Sequence, residues 1–434
     1  MQIQKDHHHI QQKKKLLTII SFFFLQIFIM NNNSSAQSPE ANYDEAKVGH
    51  FKLPELLLTD NGKEISTSKE WEKIQRPSIL KKFADNVYGR IPGKPKDFHY
   101  KIVYSDPNAL NGKATRKEVT LYFNKGEKGP SLNVLLYLPN HIKGPAPIFV
   151  GLNFEGNHTI QQDPGITITE NWKRVNVGKD ILRGKQSNEW PVNEIINSGY
   201  GIATAYYWDL EPDEAEGWKA GVRGQLQNEL KIQPSKWAAI SVWAWGLSRI
   251  MDYLETDKQV NANKVVLTGH SRLGKAALWA AANDKRFAIV VSNESGEGGA
   301  ALARRNYGET VEMINKTFPH WFIDKYKSYN KSVEKLPVDQ HMLLALIAPR
   351  PLYVASAVED QWADPKGEFL SAKYAGAVYK LYGKKGIEAE EQPELEKPVG
   401  DYVRYHIRKG KHDITLYDWE QYIQTAKRHF KYKK

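Results

Sequence analysis

The sequence predicts an α/β protein in which one mixed, mostly parallel β-sheet lies between two layers of helices, a three-layer αβα sandwich. Two observations lead to this prediction. In the C-terminal two thirds of the chain, short and continuously apolar segments alternate with helical segments, as they do where parallel strands are covered on both faces. Before them, two segments alternate apolar and polar residues, which is typical of antiparallel strands with one solvated face.

The elements follow from these patterns in chain order. The alternating strands, 98–105 and 116–124, are expected to be half-solvated. Apolar residues recur at helical spacing through Ser235–Thr256, which predicts a helix packed on the sheet, and further helices are predicted over 273–284 and 339–349. The buried strands are predicted at 131–139, 146–154, 199–210, 264–270, 287–296, 349–360 and 402–408.

The N-terminal segment has the pattern of a secretory signal peptide. Three consecutive lysines, 13–15, precede the apolar run Leu16–Met30, which at about fifteen residues is too short for an ordinary membrane span. Small residues then lead to Ala36, after which we predict cleavage. We therefore expect a secreted or periplasmic protein that is not held in a membrane once residues 1–36 are removed.

The rest of the chain is expected to form one domain. Residues 37–46 are polar, and we interpret them as a flexible lead. No long Pro/Ser-rich linker and no internal repeat interrupts residues 47–434, which predicts a single domain with short insertions. We expect this domain to be a monomer.

Composition excludes several classes of protein. The chain has no cysteine, which rules out disulfides, Cys-ligated zinc and thiol catalysis. The net charge of +11, of which +8 remains without residues 1–36, suits an acidic substrate or polymer. Lys and Arg are scattered and accompany no nucleic-acid motif, so nucleic acid is not an expected partner. The 12 Trp and 22 Tyr include rings that can stack on sugars, although the core is the commoner place for any one of them.

One junction between a strand and a helix carries a serine. The segment VVLTGHSRLGKAALWAA places Ser271 directly after an apolar strand, between Gly269 and Gly274. This is the geometry of a nucleophile elbow, which lifts a serine hydroxyl over the sheet edge at a helix N-terminus. The common motif has its second glycine at the position that is Leu273 here. The motif alone therefore also permits Ser271 to act only as a helix cap.

A serine nucleophile needs a base and an acid that orients the base. In α/β-hydrolases these follow the serine in the order acid, then His. Each has a candidate at a strand end, since Glu294 and Asp360 close two successive strands and His412 lies in the loop after the last one. This ordered set predicts the α/β-hydrolase fold.

Other assignments stay open at this point. His158, His320 and His341 are alternative bases, but His341 falls in a predicted helix and suits a structural role. His412 is favoured because its loop is polar and contains glycine. The two carboxylates could share the orientation of the imidazole, and either could instead form an ion pair or cap a loop.

Two cations next to the serine suggest substrate contacts. The backbone N–H of Arg272 follows the nucleophile, where an oxyanion hole forms, and its guanidinium could add a charged donor. A surface salt bridge is the alternative for this side chain. Lys275 lies one helical turn beyond Ser271, where it could reach the hydroxyls of a bound sugar or point to solvent.

With these residues in place, the chain resembles the glucuronoyl esterases, carbohydrate esterase family 15, and more closely their bacterial branch. The resemblance covers most of the chain after residue 36 and rests on GLNFEGNH, GHSRLGKAALWAAANDKRFAIVVSNESGEGGAALARRNYGETV, FPHWF, LPVDQHMLLALIAPRPLYVASAVEDQWADPKGEF and YHIRKGKHDIT. It implies Ser271 as nucleophile and His412 as base, with Arg272 in the oxyanion hole. For the acid, the fungal pattern implies Glu294 and the bacterial pattern also implies Asp360.

The resemblance further implies a substrate and a reaction. Lys275 and Trp362 match sugar-contacting residues of the family, and Glu309 matches a further polar contact. The implied reaction is hydrolysis of the ester between (4-O-methyl)-glucuronic acid of glucuronoxylan and a lignin alcohol, through an acyl-enzyme and without a metal or organic cofactor. The fungal pattern has a disulfide-bonded Cys before the serine, and here that residue is His270.

Two other functions remain open from the sequence. An acetyl-xylan esterase, or another carbohydrate esterase of the same fold, would leave Lys275 and Trp362 without a sugar on the acyl side to hold. A non-catalytic carbohydrate-binding protein would not need Ser271, His412 and a carboxylate.

Overall fold

The described residues form a ten-stranded β-sheet. A computed structural model of the chain describes residues 40–168 and 182–430. The sheet order is β1-β2-β3-β5-β4-β6-β7-β8-β10-β9. The strands are β1 (His99–Ala109), β2 (Ala114–Tyr122), β3 (Ser131–Pro139), β4 (Ala146–Asn153), β5 (Gly201–Tyr206), β6 (Val260–His270), β7 (Ile289–Asn293), β8 (Leu352–Ala357), β9 (Val399–Gly400) and β10 (Val403–Arg408).

Strand directions divide the sheet into a parallel centre and antiparallel ends. From β5 through β4, β6, β7 and β8 to β10, each strand runs parallel to its neighbour. At one end β1, β2 and β3 are antiparallel to one another and β3 is antiparallel to β5, while at the other end β9 is antiparallel to β10. The prediction of a mixed, mostly parallel sheet is confirmed.

Helices cover both faces of this sheet. The α-helices of six or more residues in the described ranges are α1 (Arg76–Phe83), α2 (Val192–Asn197), α3 (Ala239–Leu254), α4 (Arg272–Asn283), α5 (Val311–Thr317), α6 (Gln340–Ala345), α7 (Pro365–Leu381) and α8 (Leu416–Phe430). Shorter α-helical segments are Ser68–Glu70, Val222–Gln225, Gln227–Leu230 and Asp324–Lys327. No described helix combines the length and the apolar character that crossing a membrane would require.

Successive residues of β6 show how the two faces are buried. Val265 and Leu267 belong to a large apolar cluster that includes α3 and α4. Val266 points to the opposite face, where a second cluster holds Val192 of α2 and Trp419 of α8. Because side chains alternate along a strand, a continuously apolar strand is the expected sequence for a sheet covered on both sides.

The two alternating strands do not share one environment. β1 is exposed on both faces along most of its length, so the expectation of a half-solvated strand is wrong for it, and residues 114–121 of β2 are buried, so the same expectation is wrong in the opposite direction for β2. Its polar side chains are buried because they are paired. Arg116 lies 2.5 Å from a carboxylate oxygen of Asp163, and Lys117 lies 2.7 Å from one of Asp257.

The N-terminal lead also differs from its expectation. Asn42 pairs with Gly308, and Glu45 accepts a hydrogen bond from Arg305 Nη2 at 2.6 Å. The described part of the segment predicted as flexible is therefore bound to the loop that precedes Glu309, and the described chain from residue 41 onward forms one compact unit. The predicted signal peptide, 1–36, lies outside the described residues.

Candidate active site

Ser271 stands between β6 and α4 in a strained backbone conformation. Its φ is +54° and its ψ is −131°, a region that costs a residue with a side chain roughly 1–3 kcal/mol. At Gly269 a Cβ atom would lie 2.2 Å from the Leu273 carbonyl oxygen, so this close approach requires glycine. The Ser271 side chain makes no capping hydrogen bond to α4. The helix-cap alternative is therefore wrong, and the hydroxyl is left for other chemistry.

The displaced second glycine of the motif has a packing role. A Cβ at Gly274 would lie 2.9 Å from the Cβ of Ser295, in the loop that follows β7. Leu273, which takes the usual glycine position, is buried at 1 % exposure. The departure from the common motif therefore lets α4 pack closely against the loop that carries Glu294.

His412 and both candidate acids meet at one edge of the sheet. His412 Nδ1 lies 2.6 Å from Asp360 Oδ2 and 3.3 Å from Glu294 Oε2. Glu294 follows β7, Asp360 follows β8 and His412 follows β10, so three parallel strand ends supply the cluster. The ring centres of His412 and His270 are 4.5 Å apart, which brings the imidazole beside the residue that precedes Ser271.

The outward nitrogen of His412 is not engaged within the protein. Among residues 40–168 and 182–430, His412 Nε2 makes no hydrogen bond, and none joins it to the Ser271 hydroxyl. The alternative bases lie outside the cluster of His412, Glu294 and Asp360. His158 is fully buried, His341 lies 3.1 Å from the Pro54 carbonyl oxygen, and His320 Nε2 lies 2.8 Å from a carboxylate oxygen of Asp213.

The two acids are held differently. Arg408 Nη2 donates to Glu294 Oε1 at 2.6 Å, and the Asp413 backbone N–H donates to Glu294 Oε2 at 3.0 Å. Glu294 also has a positive φ of +45°. Within the described chain, the Asp360 carboxylate has His412 as its only hydrogen-bond partner.

These contacts set the protonation of the cluster. Burial acts to lower the pKa of His412, but hydrogen bonds to Asp360 and Glu294 outweigh it and raise the pKa to about 9. Burial raises the pKa of Glu294 to about 7, against the lowering effects of His412 and Arg408. A carboxylate on Nδ1 selects the tautomer whose Nε2 can accept a proton. The cluster can therefore serve as an oriented base.

Arg272 directs its guanidinium to a buried partner. Its Nη1 donates to Asp213, whose side chain is 3 % exposed, so this ion pair is not the surface salt bridge considered above. The guanidinium carbon lies 4.7 Å from the ring centre of Trp321 and 5.3 Å from that of Phe318. In the described part of the chain the Arg272 backbone N–H donates to no group. It is free to bind an oxyanion next to Ser271.

The residues matched to sugar contacts lie nearby. Lys275 is 4 % exposed and donates from Nζ to the Ser295 carbonyl oxygen at 2.6 Å, so the solvent-pointing alternative is wrong. Burial raises the pKa of Glu309, while the charges of Lys275 and Arg272 act to lower it. The Glu309 N–H donates to the Trp362 carbonyl oxygen at 2.9 Å, and Trp362 is 44 % exposed.

The same cluster contains atoms that could ligate a metal. Glu294, Asp360 and His412 each offer one ligand atom, and these atoms lie within 4.8 Å of one another. Carboxylate and imidazole would suit a zinc ion. The atoms available to a metal are, however, those that join Nδ1 of His412 to the acids, so metal binding and base orientation compete for them.

Two residues at this edge are absent from the sequence predictions. Arg408 ties Glu294 to the His412 loop, and Asp213 holds Arg272. The sequence does contain a signal for both residues, namely a charged residue at or after the end of a strand. Arg408 ends a buried strand, and Asp213 lies in the loop beyond β5. Both residues lie at the carboxyl ends of parallel strands, where the reactive side chains of such folds are found.

Comparison with known proteins assigns the class and the family. A family model described as fungal glucuronyl esterase matches residues 218–383. A relative named carbohydrate esterase MZ0003, from an unknown prokaryotic organism, is 43% identical over an alignment of 407 residues that covers 91% of this chain and 93% of the relative.

Solved structures similar to this chain indicate the same family as that relative. A glucuronoyl esterase from Solibacter usitatus is 49% identical with a TM-score of 0.84, covering 88% of this chain and 99% of that protein. A promiscuous CE15 esterase from a marine bacterial metagenome is 43% identical with a TM-score of 0.84, covering 90% and 100% of the two chains. The fold is thus that of an α/β-hydrolase. The chain belongs to the glucuronoyl esterases of carbohydrate esterase family 15 and is a carboxylic ester hydrolase.

Proposed function

We propose that the chain hydrolyses the ester between (4-O-methyl)-glucuronic acid of glucuronoxylan and a lignin alcohol, through an acyl-enzyme on Ser271. The observation that carries this proposal is the burial of two ionisable side chains, Lys275 on the helix that begins beside Ser271 and Glu309 in the segment after β7. Charged groups withdrawn from water need polar partners, which a uronic acid ring with several hydroxyls supplies and an acetyl group does not.

A relative supports the substrate class. A Phanerochaete chrysosporium protein named 4-O-methyl-glucuronoyl methylesterase 1 is 30% identical over 235 residues, and the match spans about half of each chain. The exposed Trp362 adds a flat apolar surface that suits a sugar ring.

Acylation uses the groups at the elbow. Ser271 Oγ attacks the ester carbonyl carbon while His412 Nε2 takes the hydroxyl proton. The hydrogen bond that this transfer needs is not formed in the structure, and in hydrolases such contacts tighten when substrate binds. The negative charge on the carbonyl oxygen is met by the Arg272 backbone N–H and guanidinium. The C–O bond to the alcohol then breaks, and the alcohol leaves with the proton held by His412.

Deacylation repeats these steps with water. His412 Nε2 removes a proton from water, whose oxygen attacks the glucuronoyl carbonyl carbon. The oxyanion again lies against Arg272 until the bond to Ser271 Oγ breaks and His412 returns its proton to that oxygen. The products are free glucuronate and the original serine, so the cycle requires no metal. We expect full activity after dialysis against a chelator.

The test compares two acyl groups. Benzyl glucuronate and an acetylated sugar are assayed with wild type, Ser271→Ala and Lys275→Met. We expect Ser271→Ala to lose all hydrolysis and Lys275→Met to lose the glucuronate activity without reducing the acetyl hydrolysis that wild type shows, while Lys285→Met, which alters a lysine side chain that is 56 % exposed, changes neither. Equal losses on both esters in Lys275→Met would refute the assigned acyl group.

A broader carbohydrate esterase is the second candidate. The 43% identical marine relative is described as promiscuous. Hydrolysis of the acetyl ester with a kcat/KM equal to that of the glucuronate ester would favour this alternative. Tight polymer binding without any hydrolysis would instead identify a carbohydrate-binding protein.

The remaining expectations concern location and assembly. We propose that the mature protein is secreted or periplasmic, because residues 1–36 have the pattern of a signal peptide, and that it is a monomer. N-terminal sequencing of the exported protein should begin at Gln37, and light scattering should give the mass of one chain. An uncleaved N-terminus in the membrane fraction would contradict the first expectation.

A further inference from the structure

A buried carboxylate outside the triad occupies the oxyanion side of the site. Asp213 lies in the segment after β5, and its two oxygens accept four hydrogen bonds. Oδ2 accepts from the Tyr207 hydroxyl at 2.9 Å and from Arg272 Nη1. Oδ1 accepts from His320 Nε2 at 2.8 Å and from Trp321 Nε1 at 2.6 Å. The carboxylate is thus saturated by donors from three parts of the chain.

We propose that Asp213 is a positioning residue that holds the Arg272 guanidinium in the orientation in which it stabilises the oxyanion. This inference rests on the proposed esterase mechanism. Nη1 of Arg272 is bound to Asp213, whereas Nε and Nη2 make no hydrogen bond to any other described residue. One side of the guanidinium is therefore fixed, while Nε is buried and Nη2 remains as a donor for a ligand.

Aromatic rings fix the plane of the same guanidinium. It lies against Trp321 and Phe318, whose rings are stacked with centres 3.7 Å apart. Trp321 also donates to Asp213, so the carboxylate and the aromatic wall are one unit. A long side chain held on two sides loses little further freedom when it binds a developing charge, which is the condition for preorganised catalysis.

Asp213 itself is on a rigid segment. The neighbouring Glu211 is fully buried and accepts a hydrogen bond from Arg223 Nε at 2.8 Å, while the Val222 N–H donates to the Leu210 carbonyl oxygen at 2.8 Å. Burial acts to raise the pKa of Asp213, but its hydrogen bonds and the Arg272 charge lower it to about 2. The same contacts therefore favour the ionised carboxylate that pairs with Arg272.

A purely structural role for Asp213 makes a different prediction from a role through Arg272. If Asp213 only stabilises its segment, its substitution should have the same proportional effect with or without the Arg272 side chain. If it acts through Arg272, its effect on kcat should vanish when that side chain is absent, because coupled residues are non-additive.

The experiment is a double-mutant cycle of Asp213→Asn and Arg272→Ala, with kcat and KM for benzyl glucuronate and the melting temperature of each variant. We expect Asp213→Asn to lower kcat about tenfold or more, short of the ~10²–10³-fold loss of a whole oxyanion donor, with KM changed less than about threefold. In the Arg272→Ala background it should change kcat by less than about twofold. Equal losses in both backgrounds would overturn the proposal.

A matched control separates this effect from loss of a buried ion pair. Asp257 is a buried carboxylate that accepts from Lys117 Nζ and the Tyr253 hydroxyl, and it precedes β6 at the opposite end of that strand from Ser271. Asp257→Asn should lower the melting temperature and leave kcat unchanged. A fall in its kcat equal to that of Asp213→Asn would count against positioning.

Chemical rescue gives a readout that keeps Asp213 intact. Millimolar guanidinium added to Arg272→Ala should occupy the vacated site and restore part of kcat, and the double variant should show no restoration. Rescue of both variants, or of neither, would contradict a specific role for the Asp213 carboxylate. If the chain hydrolyses only the acetyl ester, the glucuronate assignment fails, and the same cycle on that ester still tests Asp213.

Discussion

The loops after β7 and β8 each bring a carboxylate to the same imidazole nitrogen, but they hold it in different ways. Glu294 is bound by Arg408 and by the Asp413 backbone N–H, and its own N–H donates to the Ala355 carbonyl oxygen at 2.7 Å. Asp360 is closer to Nδ1 of His412, at 2.6 Å against 3.3 Å for Glu294.

This difference indicates which of the two carboxylates orients the His412 imidazole. Much of the negative charge of Glu294 is balanced by Arg408, whereas that of Asp360 faces His412. A hydrogen bond with a length of 2.6 Å is short and strong, while a separation of 3.3 Å is a weak contact. We therefore interpret Asp360 as the main orienting acid and Glu294 as the acid that secures the His412 loop and contributes less to the base.

The largest effect should come from removing the main acid. We expect Asp360→Asn to lower kcat on benzyl glucuronate by about 10²–10³-fold, and the double variant with Glu294→Gln to approach the ~10⁴-fold typical of losing a sole orienting acid. The single variant loses less because Glu294 can still accept from Nδ1. Equal kcat losses in Asp360→Asn and Glu294→Gln would contradict the ranking of Asp360 as the main orienting acid.

Glu294→Gln should affect stability more than catalysis. Arg408 would keep its bond to Asp418 but lose its charged partner at Glu294, at a cost of about 1–3 kcal/mol in the free energy of unfolding. We expect kcat to fall about tenfold or less, and chemical denaturation to give a lower midpoint than for Asp360→Asn. A wild-type midpoint in Glu294→Gln would show that the Arg408 contact adds nothing to stability.

The pH dependence of kcat/KM should also distinguish Asp360 from Glu294, and this is the smallest of the expected effects. A protonated His412 cannot accept the serine proton, so kcat/KM should rise with pH through the raised pKa of about 9. Asp360→Asn removes the leading stabiliser of the imidazolium and should move this rise to lower pH. The shift in Glu294→Gln should be in the same direction but smaller, because Arg408 already offsets that charge. A larger shift in Glu294→Gln would reverse the ranking.

Sequence patterns predict the features that depend on local order. The strands of the parallel centre and the elbow at Ser271 follow from apolar runs and glycine spacing, and the catalytic order follows from one acid or base after each strand. The ranking of Glu294 and Asp360 does not follow, because it depends on Arg408, which is 114 residues from Glu294 in the chain. The burial of β2 could not be predicted from the sequence for the same reason, because its Lys117 pairs with Asp257, which is 140 residues away.

The positive φ angles of Ser271 and Glu294, +54° and +45°, have a consequence for protein engineering. Glycine is the residue that relieves such a backbone. A redesign for heat tolerance that scored each position by backbone strain alone would replace both, and would remove the proposed nucleophile and one of the two proposed acids. Libraries for industrial use should keep these two codons fixed and draw their diversity from exposed positions such as those of β1.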